Sequence, residues 1–311
     1  MARAAPAGQR RLRAVDGGGS GAVLRSRGFS RVGIVAHAAL AIQRPGGAPD
    51  HASLLAALRS GVDAIEVDLC VTRDQHLVLR HDVKLEDGRL VDALRRREVE
   101  RLEGELLTLD DAVEAVAWRS PLIIDVKSAG CAGPLGEWLA RHPHTRCVVC
   151  SDDVSLLWRL RDAAPQASLM QTFPRVGSDP YERVLRVLAG LAAHRGTDAL
   201  RTVRDLTGAL GRAVVSPRSS LPHFSGLPWR HRVPGFLHEV RHGIGASGVT
   251  VHHSLISPQL CATAHMLDLR VVAWTVNDPS TAKRVTDCGV DLITTDSVAI
   301  VREAIAASFS I

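Results

Sequence analysis

Lysine and aromatic residues are scarce in this chain of 311 residues. Aromatic residues make up 4% of it, and lysine occurs only at Lys84, Lys127 and Lys283, so arginine supplies nearly all of the 38 positively charged side chains. A net charge of +5 is compatible with nucleic-acid binding, but few aromatic rings are present for base stacking and no known reader motif occurs. We therefore expect no nucleic-acid partner. Each lysine is notable, because a compact ammonium differs chemically from a guanidinium.

Long apolar runs are also absent. No run approaches the roughly 20 residues that a membrane-spanning helix needs, so we predict no transmembrane segment. Residues 1–30 are basic and Gly-rich without the apolar centre of a secretory signal peptide, and we interpret them as a flexible leader. These observations favour a cytoplasmic location by default. They predict no particular oligomeric state.

Cysteine is too sparse for a disulfide scaffold. Six cysteines are spread over the whole chain, unlike the dense pattern of small disulfide-rich domains. Cys147 and Cys150 have CxxC spacing, but they lie in the apolar run RCVVCS. In a strand this spacing points them to opposite faces, and no second pair is available to complete a zinc site. We interpret the cysteines as small buried apolar residues.

Short β-rich apolar runs alternate with helical patterns along most of the chain, which is typical of βα units around a parallel sheet. The predicted strands are Val32–His37, Ala64–Val71, Leu122–Lys127, Arg146–Ser151, Ser168–Thr172, Gly248–His252, Arg270–Thr275 and Asp291–Thr295. The helical patterns are Asp50–Ser60, Leu109–Trp118, Leu135–Arg141, Val154–Ala163, Pro258–Leu267, Ser280–Cys288 and Val298–Ser308. This order predicts an α/β fold, a parallel eight-stranded (β/α)8 TIM barrel, and we assign residues 31–311 to this single domain.

Two stretches interrupt the alternation. Gln75–Leu106, between the second and third strands, is predicted to be a β-hairpin return followed by a charged helix. Residues 174–245, between the fifth and sixth strands, are predicted to be an arginine-rich helical insertion, with helical patterns at Tyr181–His194 and Asp198–Arg212. Loops of this length are functional or disordered more often than not. The arginines suit either peripheral contact with an anionic membrane surface or a solvated helical face, and both alternatives stay open.

Charged residues repeat at a spacing of two on two predicted strands. Glu66 and Asp68 share one face of the second strand, because successive side chains of a strand point to opposite faces. The alternative for this pair is the solvated face of an amphipathic edge strand. Asp125 and Lys127 share one face of the third strand, where the alternative is a buried salt bridge. Since active sites of TIM barrels lie at the carboxyl ends of the strands, convergence of these four groups at one rim favours a ligand site.

Eight short motifs follow one another along the chain. They are VAHAAL at Val35–Leu40, APDHAS at Ala48–Ser53, AIEVDLCVT at Ala64–Thr72, LRHD at Leu79–Asp82, LLTLDDAVEAV at Leu106–Val116, LIIDVK at Leu122–Lys127, VVAWTVNDP at Val271–Pro279 and GVDLITTDS at Gly289–Ser297. In this order they resemble the glycerophosphodiester phosphodiesterase family, whose barrel runs from His-Arg-Gly through Pro-Glu-Asn-Thr, Ile-Glu-x-Asp, His-Asp and Glu-x-Lys to Ile-Thr-Asp. Each motif is weak alone, whereas the set in this order is specific.

The resemblance implies one divalent metal ion, Mg²⁺ or Ca²⁺, held by Glu66, Asp68 and Asp125, with His37 and His81 as the general acid and base. Hard carboxylate oxygens suit such ions, and imidazole exchanges protons readily near neutral pH. The implied partner is a small-molecule phosphodiester. The implied reaction is hydrolysis of a glycerophosphodiester, or a related phospholipid-derived diester, to glycerol 3-phosphate and an alcohol, through a cyclic phosphate formed by a neighbouring substrate hydroxyl.

The resemblance also implies substrate-binding residues. Lys127 is expected to contact a phosphate oxygen and Trp274 to line the alcohol-binding wall, where core packing is the alternative. The family's Glu-Asn corresponds here to Asp50 and His51. We therefore expect both to bind substrate, His51 as a substitute cation for the phosphate, while the alternative for Asp50 is a helix N-cap.

One departure leaves other functions open. The arginine that follows the first histidine in the family is Ala38 in this chain. Its absence suits a phosphoester-binding barrel with weakened turnover, because a guanidinium binds phosphate with a geometry that other side chains do not reproduce. A third alternative is a Schiff-base lyase that uses Lys127, suggested by the barrel and by the rarity of lysine.

Overall fold

A closed parallel β-barrel lies at the centre of the molecule. The computed structural model describes residues 32–116, 119–173 and 233–308. Its strands in these ranges are β1 Gly33–Ala36, β2 Ala64–Val71, β3 Leu77–Leu79, β4 Leu122–Val126, β5 Cys147–Ser151, β6 Ser168–Phe173, β7 Gly248–His252, β8 Arg270–Trp274 and β9 Leu292–Thr295. All except β3 run parallel to their neighbours, and β1 pairs with both β2 and β9, which closes the barrel. The short β3 is antiparallel to β2.

Helices alternate with the barrel strands. The described ones are α1 His51–Arg59, α2 Arg96–Glu103, α3 Leu109–Val116, α4 Ala132–Arg141, α5 Val154–Ala163, α6 Leu237–His242, α7 Pro258–Met266, α8 Pro279–Asp287 and α9 Val298–Ser308. Side chains cap several of them: Asp153 begins α5, Ser257 begins α7 and Asp278 begins α8, each by accepting a backbone N–H of the first turn. None of the helices within the described ranges is both long and apolar enough to cross a membrane.

The barrel interior changes from apolar to polar towards the carboxyl ends of the strands. Inside the barrel, a separate apolar cluster consists of Val35, Ala64, Ile123, Val148, Cys150, Met170, Val272 and Leu292. On β2 the outward residues Ile65, Val67 and Leu69 join the larger core, whereas Glu66 and Asp68 alternate with them and are buried on the inner side. The strand alternation thus delivers carboxylates to the inside of the barrel rim.

The predicted barrel is confirmed, and the strand ends differ by about one residue. His37 and Thr275 lie just beyond β1 and β8, and Lys127 follows β4. At β1 the cause is local, because His37–Leu40 turns away from the strand as a short 3-10 segment. The predicted hairpin return and charged helix are present as β3 and α2.

The insertion between β6 and β7 is described only at its carboxyl end. Residues 233–242 form the 3-10 segment Val233–Phe236 and helix α6. The helical patterns at Tyr181–His194 and Asp198–Arg212 lie outside the described residues, as does the predicted leader at residues 1–30.

The cysteines behave as the sequence predicts. All six lie in the described ranges and none forms a disulfide bond; five are buried and Cys288 is half-buried. Burial raises the pKa of Cys147 to about 12. These side chains therefore serve as small apolar residues of the core.

Candidate active site at the carboxyl rim of the barrel

Three carboxylates meet at the inner side of the rim. Glu66 and Asp68 come from β2 and Asp125 from β4, and Asp68 lies opposite Asp125 in the register of the two strands. One oxygen from each carboxylate lies within 4.8 Å of the other two. Glu66 and Asp68 are buried, at 6% and 2% exposure. Burial and the neighbouring Asp68 carboxylate raise the pKa of Glu66 well above its ordinary range.

Lys127 is the cation nearest to these carboxylates. Its Nζ lies 2.7 Å from Asp68 Oδ1 and 2.5 Å from Asp125 Oδ2, and its backbone N–H donates to the carbonyl of Leu69. Burial lowers the pKa of Lys127, but the carboxylates of Asp125, Asp68 and Glu66 outweigh burial and raise it well above its ordinary value. Lys127 is therefore a charged ammonium held by two carboxylates.

The carboxylate cluster fits a divalent cation. Asp68 forms an ion pair with Lys127 through Oδ1, and its two oxygens have no other partner among the described residues. Three carboxylates converge on this point, and oxygen ligands gathered in this way can hold a metal ion. Carboxylate oxygens are the ligands that Mg²⁺ and Ca²⁺ prefer. Glu66, Asp68 and Asp125 are therefore the residues that suit such an ion.

His37 is held by residues from the other end of the chain. Its Nδ1 lies 2.7 Å from Asp296 Oδ1, just after β9. Asn277 Nδ2 donates to the second oxygen of Asp296 at 2.7 Å. Burial lowers the pKa of His37, but the hydrogen bond to Asp296 and the nearby carboxylates of Glu66, Asp296 and Asp68 outweigh it and raise the pKa to about 9. With Nδ1 bound to Asp296, Nε2 is the nitrogen left for a ligand.

The residues after His37 form an unusual left-handed turn. Ala38, Ala39 and Leu40 have φ angles of 45°, 49° and 60°. These angles lie in the left-handed region, which residues other than glycine seldom adopt. The turn directs the Ala38 N–H to Glu66 Oε2 at 2.6 Å. Backbone that deviates in this way is kept where the surrounding structure requires it, and here it ties the residue after His37 to a carboxylate of the cluster.

His81 faces His37 at the rim. The two ring centroids lie 6.3 Å apart with the ring planes at 81°. His81 Nδ1 lies 2.9 Å from Asp82 Oδ1, and the backbone N–H groups of both residues donate to the carbonyl of Gly46. The side chain of His81 is 36% exposed, so it borders solvent while His37 lies deeper.

A buried arginine supports the loop that carries His81. Arg80 is 1% exposed and forms an ion pair with Glu103 of α2. Its Nε donates to the carbonyl of Asp82 at 2.6 Å, and its Nη2 donates to the carbonyl of Lys84 at 2.9 Å. Gly46 packs against the guanidinium so closely that a Cβ there would collide with it. The loop from Arg80 to Lys84 is thus held by hydrogen bonds from a charged, buried guanidinium.

These groups border one cavity of about 660 Å³. On the charged side it is lined by His37, Glu66, His81, Lys84, Asp125 and Lys127, and on the opposite side by Thr172, Thr250, Val272 and Trp274. The ring of Trp274 meets that of His252 edge-on at 5.2 Å. Its buried Nε1 has no hydrogen-bond partner within the part of the chain that the structure describes, so the indole offers a donor at the cavity wall.

Most residues predicted from the sequence come together here, and two do not. His37, Glu66, Asp125, His81, Lys127 and Trp274 line the cavity, with Asp68 in the carboxylate cluster. Asp50 instead caps α1 by accepting the Ser53 N–H at 2.8 Å, and it pairs with Arg44. His51 is exposed at the first position of α1. Neither of these two is among the cavity-lining residues.

Three residues of the site have no role predicted from the sequence: Asp296, Asn277 and Lys84. Asp296 and Asn277 lie inside two of the quoted motifs, GVDLITTDS and VVAWTVNDP. Lys84 lies outside every motif, and the scarcity of lysine was its one signal. Thr172 and Thr250 had no signal, because a threonine in a strand is ordinary.

Fold and site together define a parallel (β/α)8 barrel with a carboxylate cluster suited to a divalent cation at its rim. Two segments of the chain, residues 51–127 and 224–300, match the model of the glycerophosphoryl diester phosphodiesterase family. The chain belongs to this family, as its motif order predicts.

Three known proteins are similar to this chain, one in sequence and two in structure. The chain is 29% identical over 175 residues to the Mycobacterium tuberculosis protein named "Probable glycerophosphodiester phosphodiesterase 1", and the aligned part covers 42% of this chain and 61% of that protein. A glycerophosphodiester phosphodiesterase of Parabacteroides distasonis is similar in structure, with a TM-score of 0.62, 18% identity and coverage of 89% of this chain and 98% of that one. So is an Oleispira antarctica phosphodiesterase solved with the product sn-glycerol-3-phosphate, with a TM-score of 0.60, 18% identity and coverage of 89% and 97%. At these identities the structural likeness establishes the fold.

Proposed function

We propose that this protein is a metal-dependent phosphodiesterase that hydrolyses glycerophosphodiesters to glycerol 3-phosphate and an alcohol. The observation that carries the proposal is the placement of two histidines, 6.3 Å apart, beside three clustered carboxylates on one cavity. Two imidazoles at this separation can serve the attacking and the leaving oxygen of one phosphodiester group. Family membership supports the same reaction.

Glu66, Asp68 and Asp125 would hold the divalent ion. When bound, the ion polarises the phosphoryl group and neutralises the charge that develops on it. Lys127 adds an ammonium beside the same carboxylates, where it can approach a phosphate oxygen. The product found in the Oleispira antarctica enzyme, sn-glycerol-3-phosphate, is the product that we extend to this chain.

His37 and His81 are the proposed general acid and base. In the first step a hydroxyl oxygen of the glycerol attacks phosphorus, and the bond from phosphorus to the alcohol oxygen breaks. One histidine accepts the hydroxyl proton and the other donates a proton to the departing oxygen. Water then opens the cyclic phosphate with the two roles reversed. Asp296 supports His37 by holding Nδ1 and so presenting Nε2 to the cavity.

The proposal is tested by glycerol 3-phosphate release from glycerophosphoethanolamine, measured with a coupled dehydrogenase assay. We expect release that stops with EDTA and returns with Mg²⁺ or Ca²⁺. His37→Ala and His81→Ala should each lower kcat/KM by at least about 100-fold, because each removes one proton transfer. His144, which is exposed between α4 and β5, provides the matched control His144→Ala. Activity of either cavity variant within about tenfold of wild type would contradict the acid–base assignment.

Binding of a phosphoester with weak turnover is the second candidate function. Its supporting observation is Ala38, which is buried and uncharged where the family has arginine. Loss of a guanidinium from a phosphate site costs about 2–4 kcal/mol when nothing replaces it. Calorimetric binding of glycerol 3-phosphate without product release under any divalent ion would favour this function over hydrolysis.

A Schiff-base lyase has no support. The amine of a Schiff-base lysine must lose its proton before it attacks a carbonyl. Lys127 Nζ instead lies between the carboxylates of Asp68 and Asp125, at 2.7 and 2.5 Å, which favour the protonated ammonium.

Several statements stay predictions from the sequence: the cytoplasmic location, the absence of a nucleic-acid partner and the assignment of residues 31–311 to one domain. For the insertion, peripheral membrane contact and a solvated helical face both stay open.

A further inference from the structure

Lys84 lines the cavity although no motif of the chain includes it. It lies in the loop after β3, on the same cavity as His81 and Lys127. Two of the three lysines of this chain therefore border one cavity, in a protein whose 38 positive side chains are nearly all arginine. The cavity therefore holds a second ammonium besides that of Lys127.

The two cavity lysines differ in what they contact. Lys127 Nζ lies within 2.7 Å of a carboxylate oxygen of both Asp68 and Asp125. In the described ranges, no carboxylate forms an ion pair with Lys84. The ammonium of Lys84 is thus available for an anion that enters the cavity.

The backbone of Lys84 is anchored, which limits the entropy that the loop loses on binding. Buried Arg80 donates to the Lys84 carbonyl at 2.9 Å and is itself paired with Glu103. Lys84 also forms a backbone bridge with Leu90. The same arginine holds the carbonyl of Asp82, so Lys84 and His81 belong to one fixed loop.

A phosphate group in this cavity lacks the cation that the family places after the first histidine. Ala38 supplies none, and His51, the substitute suggested by the sequence, does not line the cavity. We propose that Lys84 takes the place of that arginine and binds the nonbridging oxygens of the substrate phosphate group. This inference rests on the function proposed above.

Calorimetric titration with glycerol 3-phosphate in the presence of Mg²⁺ tests the inference on four proteins: wild type, Lys84→Gln, Lys84→Arg and Lys283→Gln. Lys283 is the matched control, since it is exposed on α8 and pairs with Asp287 at 2.7 Å. We expect Lys84→Gln to weaken binding by about tenfold or more, as the loss of a charged hydrogen bond does. Lys84→Arg should keep binding within about threefold, because it retains the charge.

Steady-state kinetics separate this inference from the function on which it rests. In an active protein, Lys84→Gln should raise KM about tenfold and leave the metal requirement unchanged. If Lys84→Gln and Lys283→Gln bind glycerol 3-phosphate within about twofold of each other, the role of Lys84 is wrong even in an active enzyme. If binding depends on Lys84 but wild type releases no product, the hydrolytic function is wrong and the role of Lys84 stands.

Discussion

The two sides of the cavity are built from the same kind of strand and carry opposite chemistry. The side formed by β1, β2 and β4 presents charged groups, namely His37, Glu66, Asp68, Asp125 and Lys127. The side formed by β6, β7 and β8 presents neutral ones, namely Thr172, Thr250, Val272 and Trp274. The barrel thus concentrates charge on neighbouring strands and leaves the opposite wall to shape and hydrogen bonding.

The two sides also differ in the partners of their buried polar groups. On the neutral side the Thr250 hydroxyl donates to the Thr172 hydroxyl at 2.9 Å, so these buried polar groups satisfy each other. On the charged side both carboxylate oxygens of Asp68 lack hydrogen-bond partners within the described ranges. Since buried carboxylates favour a positively charged partner, the charged side suits a further cation, whereas the neutral side offers the unpaired Nε1 of Trp274 as a hydrogen-bond donor. The following substitutions test this contrast.

The largest effect is expected on the charged side, from Asp68→Asn. A neutral amide is a weaker ligand for a hard divalent ion, so kcat/KM should fall by about 1000-fold or more. Calorimetry with Mg²⁺ should show weakened ion binding in the same variant. The matched control is Asp287→Asn, which changes an exposed aspartate on α8. If Asp68→Asn keeps wild-type activity and wild-type Mg²⁺ affinity, the prediction of a metal site on the charged side is wrong.

An intermediate effect is expected from Asp296→Asn, which changes the residue that orients His37. The amide keeps the size of the side chain but loses the negative charge that holds Nδ1 at 2.7 Å. We expect kcat to fall by about 10- to 100-fold, with KM changed less, because orienting groups act through the residue that they hold. Asp278→Asn is the control, since asparagine also caps the helix that Asp278 begins. Equal loss in both variants would indicate a structural role only.

The smallest effect is expected on the neutral side, from Thr250→Val. This change removes a hydroxyl from the wall opposite the carboxylates, so it should alter the ratio of kcat/KM between glycerophosphocholine and glycerophosphoethanolamine by only about 3- to 10-fold. Mg²⁺ affinity should be unchanged. A double-mutant cycle with Thr172→Val shows whether the bonded pair acts as a unit. Loss of Mg²⁺ binding in Thr250→Val would contradict the division between the two sides.

Much of the fold and of the charged side follows from the sequence, because both depend on local periodicity. Buried parallel strands such as β2 and β4 are short apolar runs, and a spacing of two sends Glu66 and Asp68 to one face whatever the rest of the chain does. Asp125 joins them because the register places it opposite Asp68. The order of the motifs, through the family resemblance, predicted that His37 and His81 share one site with these carboxylates.

The rest depends on contacts that no local pattern encodes. Asp296 contacts His37 across 259 positions of the chain, and only closure of the barrel brings them together. Lys84 lies in a loop that Arg80 holds by a hydrogen bond. In a loop, the spacing of residues does not predict which way a side chain points. For Asp50 the sequence leaves substrate binding and a helix N-cap as alternatives, and in the structure its carboxylate accepts the Ser53 N–H and caps α1.

The seam between β1 and β9 links the site to the order in which the chain is made. The first strand pairs with the last over Gly33–Ala36 and Leu292–Thr295, and the contact of His37 with Asp296 lies directly beyond this pairing. During synthesis, which proceeds from the amino end, the carboxylates of β2 and β4 emerge well before Asp296, the partner of His37. The contact that holds His37 Nδ1 can therefore form only after Asp296 has been made, so closure of the barrel and the orientation of His37 belong to the same step.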